Sequence, residues 1–400
     1  MKKVLAILFI VIFTITITIG CSDLDNSEKL EQNESKGQEQ DENNIVEEEI
    51  EKHSELSLSA TGDIMFHGAQ LKSAYNNNTK EYEFNRVFEN VKPHLENSDI
   101  AIANFETTTA GSEMPVSSYP SFNSPDSTID ALKYAGFDIL TTANNHSLDT
   151  GKTGILNTIK NIENNGLDYI GTSEEEYRPF ILKEKNDITL SFLSYTYGLN
   201  GNDSRLNSKE LDNMVNLIAE DKMEADIKKA KNVSDKVVVF IHWGNEYSRE
   251  PSEAQMQLAD KIFEWGADII LGSHPHVIQR SEIIKKNGEN KFIIYSMGNF
   301  ISNQRRETLP NTRNNIYTED GVIVNIDFKK DLETKETIIE DVRYIPTWVY
   351  KYPENGKDEY RILPIADFID SDTLSQGTIE RLKNSHKQTM DLMEKVEIVE

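Results

Sequence analysis

The chain has 400 residues, 68 acidic against 42 basic, for a formal net charge of −26 at pH 7. Such a surface argues against a nucleic-acid partner, and any anionic polymer would need a local positive feature such as a bound metal. Cys21 is the single cysteine, which excludes a disulfide within the chain.

Lys2 and Lys3, the apolar run Val4–Ile19 and the pair Gly20-Cys21 have the layout of a secretory signal. Sixteen residues fall short of the roughly 20 that a spanning helix needs. Thr18-Ile19-Gly20-Cys21 resembles a bacterial lipobox, with Thr18 where leucine is usual. Residues 1–21 are therefore expected to be a lipoprotein signal peptide with Cys21 acylated; an uncleaved signal anchor is the other reading. Both place the remainder at the extracytoplasmic face of the cell membrane. Ser22–Glu55 holds thirteen acidic and three basic residues and no aromatic one. It cannot bury enough apolar surface to offset its ordering entropy, so 22–55 is expected to be a disordered acidic linker.

From Leu56 the pattern alternates between strand and helix. Strands are expected at Leu56–Thr61, Asp99–Asn104, Asp138–Thr142, Ile188–Tyr195, Lys236–His242, Ala267–Gly272, Lys291–Ser296 and Gly321–Phe328. Helices are expected at Phe84–Leu95, Ser127–Ala135, Gly151–Asn165, Lys209–Ala230 and Ser252–Trp265. Several strands are continuous apolar runs, as in sheets covered on both faces. This is a layered α/β domain over 56–330. Residues 331–400 would complete it with the β-like stretch Ile338–Tyr352, which contains Pro346, and an amphipathic helix over Thr373–Lys395.

Metal-capable side chains recur where these strands end, the edge at which open α/β sheets gather ligands. Asp63 ends the first strand and Asn104-Phe105-Glu106 the next. Asn144-Asn145-His146, with Asp149, follows the third. His242-Trp243-Gly244-Asn245-Glu246 and Gly272-Ser273-His274-Pro275-His276 end two more. Four of the eight histidines lie in these segments. Singly, each has a plainer reading: a turn aspartate, a helix cap, a core histidine. Together, carboxylates, imidazoles and an amide oxygen suit a divalent transition metal, Mn, Zn or Fe, with one or two ions.

The segments Thr61-Gly62-Asp63-Ile64-Met65, Ala103-Asn104-Phe105-Glu106-Thr107, Ala143-Asn144-Asn145-His146-Ser147-Leu148-Asp149, His242-Trp243-Gly244, Gly272-Ser273-His274-Pro275-His276 and Ser296-Met297-Gly298-Asn299-Phe300 resemble those of the CapA family of capsule (poly-γ-glutamate) synthesis proteins. The resemblance covers Leu56 to Phe328, with Tyr344–Val349 a trailing feature. It implies a four-layer α/β/β/α sandwich similar to calcineurin-like metallophosphoesterases. It also implies one ion on Glu106, Asn145, His242 and His274 and another on Asp63, Glu106 and His276. His146 would be a general acid or transition-state stabiliser. Met65 stands where metallophosphoesterases usually carry histidine, and thioether is a poor ligand for hard ions. That substitution puts the second ion and phosphoesterase activity in question, with His67 as a possible replacement ligand.

Asp149 and Glu246 could orient ligand histidines from behind, although helix capping or solvent pairing reads as well. Asn104 and Asn299 could form the site wall. Arg305 and Arg306 could contact anions or simply be solvated, and Trp243 could pack or line the site. The resemblance points to a role in capsule synthesis beside membrane-embedded synthesis proteins, with poly-γ-glutamate or another anionic surface polymer as partner and a lipid anchor in the membrane. A metal-dependent hydrolase of a surface polymer, and a non-catalytic surface binding lipoprotein, are the alternatives.

Overall fold

The structure, a computed structural model, describes residues 52–286 and 288–394. Cys21, the signal segment and most of the predicted acidic linker lie outside the described residues. Among those residues no helix is long and apolar enough to cross a membrane.

The chain first lays down β1 (His53–Ile64), α1 (Gly68–Ala74), the hairpin β2 (Tyr75–Asn76) and β3 (Glu81–Tyr82), α2 (Asn85–Phe88) and α3 (Lys92–Glu96). Then follow β4 (Ile100–Phe105), α4 (Ser127–Ala135), β5 (Ile139–Thr141), α5 (Gly151–Asn164) and β6 (Asp168–Ile170). β1 takes in the last three residues of the stretch expected to be linker. A second sheet is built from β7 (Ile181–Lys185), β8 (Ile188–Thr196), α6 (Ser208–Met214), α7 (Glu220–Lys231), β9 (Lys236–His242) and α8 (Glu253–Trp265). It is completed by β10 (Ile269–Ser273), β11 (Ile278–Lys286) and β12 (Glu289–Met297). The chain then returns to the first sheet with β13 (Asn299–Ile301), β14 (Asp320–Asp331), β15 (Thr337–Glu354) and β16 (Lys357–Pro364), before α9 (Ile365–Phe368) and α10 (Gln376–Met390).

The first sheet runs β16-β15-β14-β1-β4-β5-β6, with β13 pairing β1; the second runs β11-β12-β10-β9-β8-β7. β1, β4, β5 and β6 are mutually parallel, as are β8, β9, β10 and β12. Alternation along β9 shows how the layers form. Val238 and Phe240 face the inter-sheet core, which they share with Leu58 and Ile102 of the first sheet. Val237, Val239 and Ile241 face outward into a core with Ile227 of α7 and Ile262 of α8. α4 and α5 cover the outer face of the first sheet through Leu132, Ile155 and Ile159. The result is the expected α/β/β/α sandwich.

Two predicted helices are each split in two. Phe84–Leu95 becomes α2 and α3, because Pro93 in the first turn of α3 has no amide proton to bond the Glu89 carbonyl, as a continuous helix would require. Lys209–Ala230 is interrupted where Val215 bridges Thr172 and Leu217 bridges Thr196, a β-rich stretch taken up by sheet edges. Pro346 pairs with Val322 of β14, but the ladder to β16 begins only at Thr347. The missing amide proton therefore falls where β15 has no ladder partner on that side among the described residues.

Candidate metal centre

The parallel strands of both sheets deliver their C-terminal ends to one place. Asp63 pairs in register with Asn104 and Asn299, and Ser273 with His242. Gly62 permits this approach: a Cβ there would overlap the Gly298 carbonyl oxygen, which accepts the Asp63 amide at 2.9 Å. After β10 the turn carries His274 at φ 96° and His276 at φ 56°, left-handed conformations that non-glycine residues hold only when the surroundings enforce them. The His274 amide donates to Asp63 Oδ2 at 3.2 Å.

Asp63, Glu106, His242, His274 and His276 are all buried. Ligand-capable atoms of Glu106, His274 and His276 lie within 4.8 Å of one another, as do those of Asp63, Glu106 and His242. These sets cross the two ion groups implied by the family resemblance, and Glu106 is common to both. Asn145 Oδ1 is 3.0 Å from His242 Nε2, and Glu106 Oε1 is 3.6 Å from the same nitrogen. His276 Nδ1 is 3.1 Å from both Asp63 Oδ2 and Asn299 Oδ1. Donors bonded at 2.0–2.2 Å to one tetrahedral ion stand about 3.3–3.6 Å apart, so these spacings fit a shared cation with small adjustment. Glu106 Oε1 and His274 Nδ1 are buried with no hydrogen-bond partner among the described residues.

Electrostatics follow from this crowding. Burial would raise Asp63, but the hydrogen bond and charge of His276 hold it below the ordinary carboxylate range. Burial and the neighbouring Asp63 push Glu106 well above that range. Burial, with His276 nearby, lowers His274 to about 3, and burial with the adjacent histidines lowers His242 well below its usual value. Neutral imidazoles are the form that binds metal.

Around this cluster, Asn104 Nδ2 donates to Asp63 Oδ1 at 2.8 Å, and Asn104 Oδ1 accepts from Asn144 Nδ2 at 3.2 Å. Asp149 Oδ2 is 2.7 Å from His146 Nδ1 and accepts the Phe122 amide at 2.6 Å. Asn299 grips the other side of the His276 turn, its Nδ2 donating to the His276 carbonyl at 3.3 Å. Glu246 is exposed and makes no hydrogen bond to a histidine among the described residues. His67 Nδ1 accepts the Asn303 amide at 3.3 Å, and Met65 is buried in the core. Arg305 and Arg306 both pair with buried Glu319, at 3.0 and 2.8 Å. Trp243 packs, its Nε1 donating to the Tyr295 carbonyl at 3.0 Å.

Four contacts at the site have no counterpart among the predicted residues. Ser273 Oγ is 2.9 Å from His242 Nδ1. The Tyr197 ring lies 4.6 Å from His274, and Asn145 Nδ2 donates to Asn200 at 3.3 Å. Phe122 meets His146 edge-on at 4.7 Å. Tyr197 directly follows β8, so the strand-end rule that located the histidines would also have found it.

Comparison with known proteins agrees with the family expectation. The bacterial capsule synthesis protein PGA_cap family matches residues 57–304. The capsule biosynthesis protein CapA of Bacillus anthracis is 33% identical over 259 residues, 62% of this chain and 60% of that protein. The PGA biosynthesis protein CapA of Bacillus subtilis (strain 168) is 30% identical over 267 residues, 62% of this chain and 64% of that one. The chain thus matches less than two thirds of either relative's length. The calcineurin-like phosphoesterase YfkN of Bacillus subtilis aligns at 15% identity and a TM-score of 0.40, over 85% of this chain and 98% of that one. A likeness of that degree carries nothing about chemistry.

Proposed function

From the premise that this chain belongs to the bacterial capsule synthesis protein PGA_cap family, we propose that it acts in synthesis or export of a poly-γ-glutamate-type capsule, around a divalent-metal centre. One observation carries the metal reading: Glu106 Oε1 and His274 Nδ1 are buried with no hydrogen-bond partner among the described residues, and Glu106 and His274 belong to one donor cluster. An orphaned buried acceptor of this kind costs about 1–3 kcal/mol, which a cation would recover. Asp63, Glu106, Asn145, His242, His274 and His276 would hold Mn, Zn or Fe, one ion or two. The same cation would supply the positive feature that an acidic protein needs to approach an anionic polymer.

A second reading, hydrolysis of a surface polymer, is favoured by His146. Asp149 accepts from its Nδ1, fixing the tautomer and leaving Nε2 as the nitrogen that can give or take a proton. A bound ion would there acidify water and neutralise charge at the cleaved group. Cys21 acylation, an outer-face location and contact with membrane-embedded capsule-synthesis proteins complete the proposal, and the sequence alone supports them.

Elemental analysis of the purified chain tests the centre. We expect at least one equivalent of Mn, Zn or Fe, falling to well under half in His242→Ala and His274→Ala. Equal metal content in both variants and the parent would refute the ligand assignment.

A further inference from the structure

A groove of about 870 Å³ opens between α1, the β2–β3 hairpin, the 116–118 loop and β16. Its size falls within the usual range for ligand sites, and nothing in the metal centre accounts for it. Tyr75 and Tyr82, both half-buried, stand in its wall with ring centroids 5.0 Å apart. Tyr82 lies parallel to Phe84, 7° between planes, and Phe84 rests on Phe66 at 4.7 Å. Gln70 also lines the groove. It is 3% exposed, its Oε1 accepts the His67 amide at 2.8 Å, and its Nε2 is buried without a hydrogen-bond partner among the described residues. The rim is amide-rich, with Asn77, Asn78 and Asn355.

The charges do not suit a polycarboxylate. Lys357 is engaged by Glu359 at 3.0 Å and by the Ser73 carbonyl at 2.6 Å, and Arg86 pairs with Glu354 at 2.9 Å. Of the groove's cations, Lys72 alone has no salt-bridge partner among the described residues, and Glu83 lies on the same lining. Aromatic faces that can take the C–H face of a ring, amides that can take hydroxyls and a near-neutral lining together match a carbohydrate. On the groove's lining the Gly68 amide donates to Ser118 at 2.9 Å. Next to Gly68 in the chain, His67 meets Phe122 edge-on at 5.2 Å, and Phe122 is the ring that packs on His146.

We propose that this groove binds a neutral glycan strand and brings its end up to the His146 side of the metal centre. The binding half of the proposal stands on the groove alone; the delivery half rests on the proposed function. The probe is a β-1,4-linked hexamer of N-acetylglucosamine, titrated calorimetrically into the full-length chain. Binding is expected, weakened about tenfold or more in Tyr82→Ala and in Gln70→Leu. Tyr82→Phe, which keeps the stacking face and the fold, should stay within about twofold. Poly-γ-glutamate should not displace the hexamer. No hexamer binding by the parent chain, equal binding by folded Tyr82→Ala and Gln70→Leu, or displacement by poly-γ-glutamate would overturn the proposal. Metal content of the same samples keeps the two readings apart: sugar binding without metal spares the groove and removes the centre, whereas metal without sugar binding does the reverse.

Discussion

At the scale of single residues, the cluster holds a conflict that its own side chains do not resolve. Asp63 and Glu106 are both fully buried, and the ionisation of one raises the other. Among the described residues, His276 is the one ionisable partner within hydrogen-bond distance of Asp63. A divalent ion reverses this logic by favouring both carboxylates as anions. The geometry that makes it possible depends on Gly62. Gly62→Ala should destabilise the chain by about 1–3 kcal/mol or more, because the added methyl must displace the Gly298 backbone rather than a flexible side chain. Chemical denaturation would register this as a lowered midpoint, and an unchanged midpoint would show that β13 yields freely. The ligand-capable side chains were legible in the sequence because each follows a strand in a recognisable segment. Contacts such as Phe122 on His146 were not, because they come from a loop whose path no local pattern specifies.

At the scale of elements, strong apolar runs identified the central strands to within a few residues, whereas the breaks in helices depended on neighbours. Lys209–Ala230 reads as one amphipathic stretch until sheet edges at Thr172 and Thr196 capture its middle. β16 was missed although its signal is present: Asn355-Gly356, with φ 51° and 81°, is the two-residue hairpin link that right-twisted strands prefer. The same C-terminal region carries a titration. Asp320 opens β14 and accepts from Ser385 of α10 at 2.7 Å. Burial raises its carboxyl to about 7, against the opposing effects of Ser385 and Arg249. The folded form therefore keeps a proton that the unfolded chain releases near pH 4, so stability from this group is present at low pH and is lost as pH rises towards 7. The expected slope is at most about 1.4 kcal/mol per pH unit. Urea titrations between pH 5 and 7.5 should show a shallower fall in Asp320→Asn than in the parent; identical slopes would dismiss the group.

At the scale of the whole molecule, two sheets of separate sequence origin bring the C-terminal ends of their parallel strands to one point, so a site can be assembled from residues as far apart as 63 and 276. That convergence was anticipated from spacing and family resemblance, and no single segment could have disclosed it. The proposed anchor belongs to this scale too. Cys21→Ser should move the protein from the membrane fraction to the soluble or secreted fraction, as read by immunoblot. Retention in the membrane would favour an uncleaved anchor.

The most direct measurement is anomalous diffraction from crystals of the chain soaked in Mn²⁺, collected on both sides of the Mn absorption edge. A peak is expected within bonding distance of Glu106 and at least two of His242, His274 and His276. A saturating soak that leaves this cluster without a peak, or places the ion elsewhere, would contradict the metal reading.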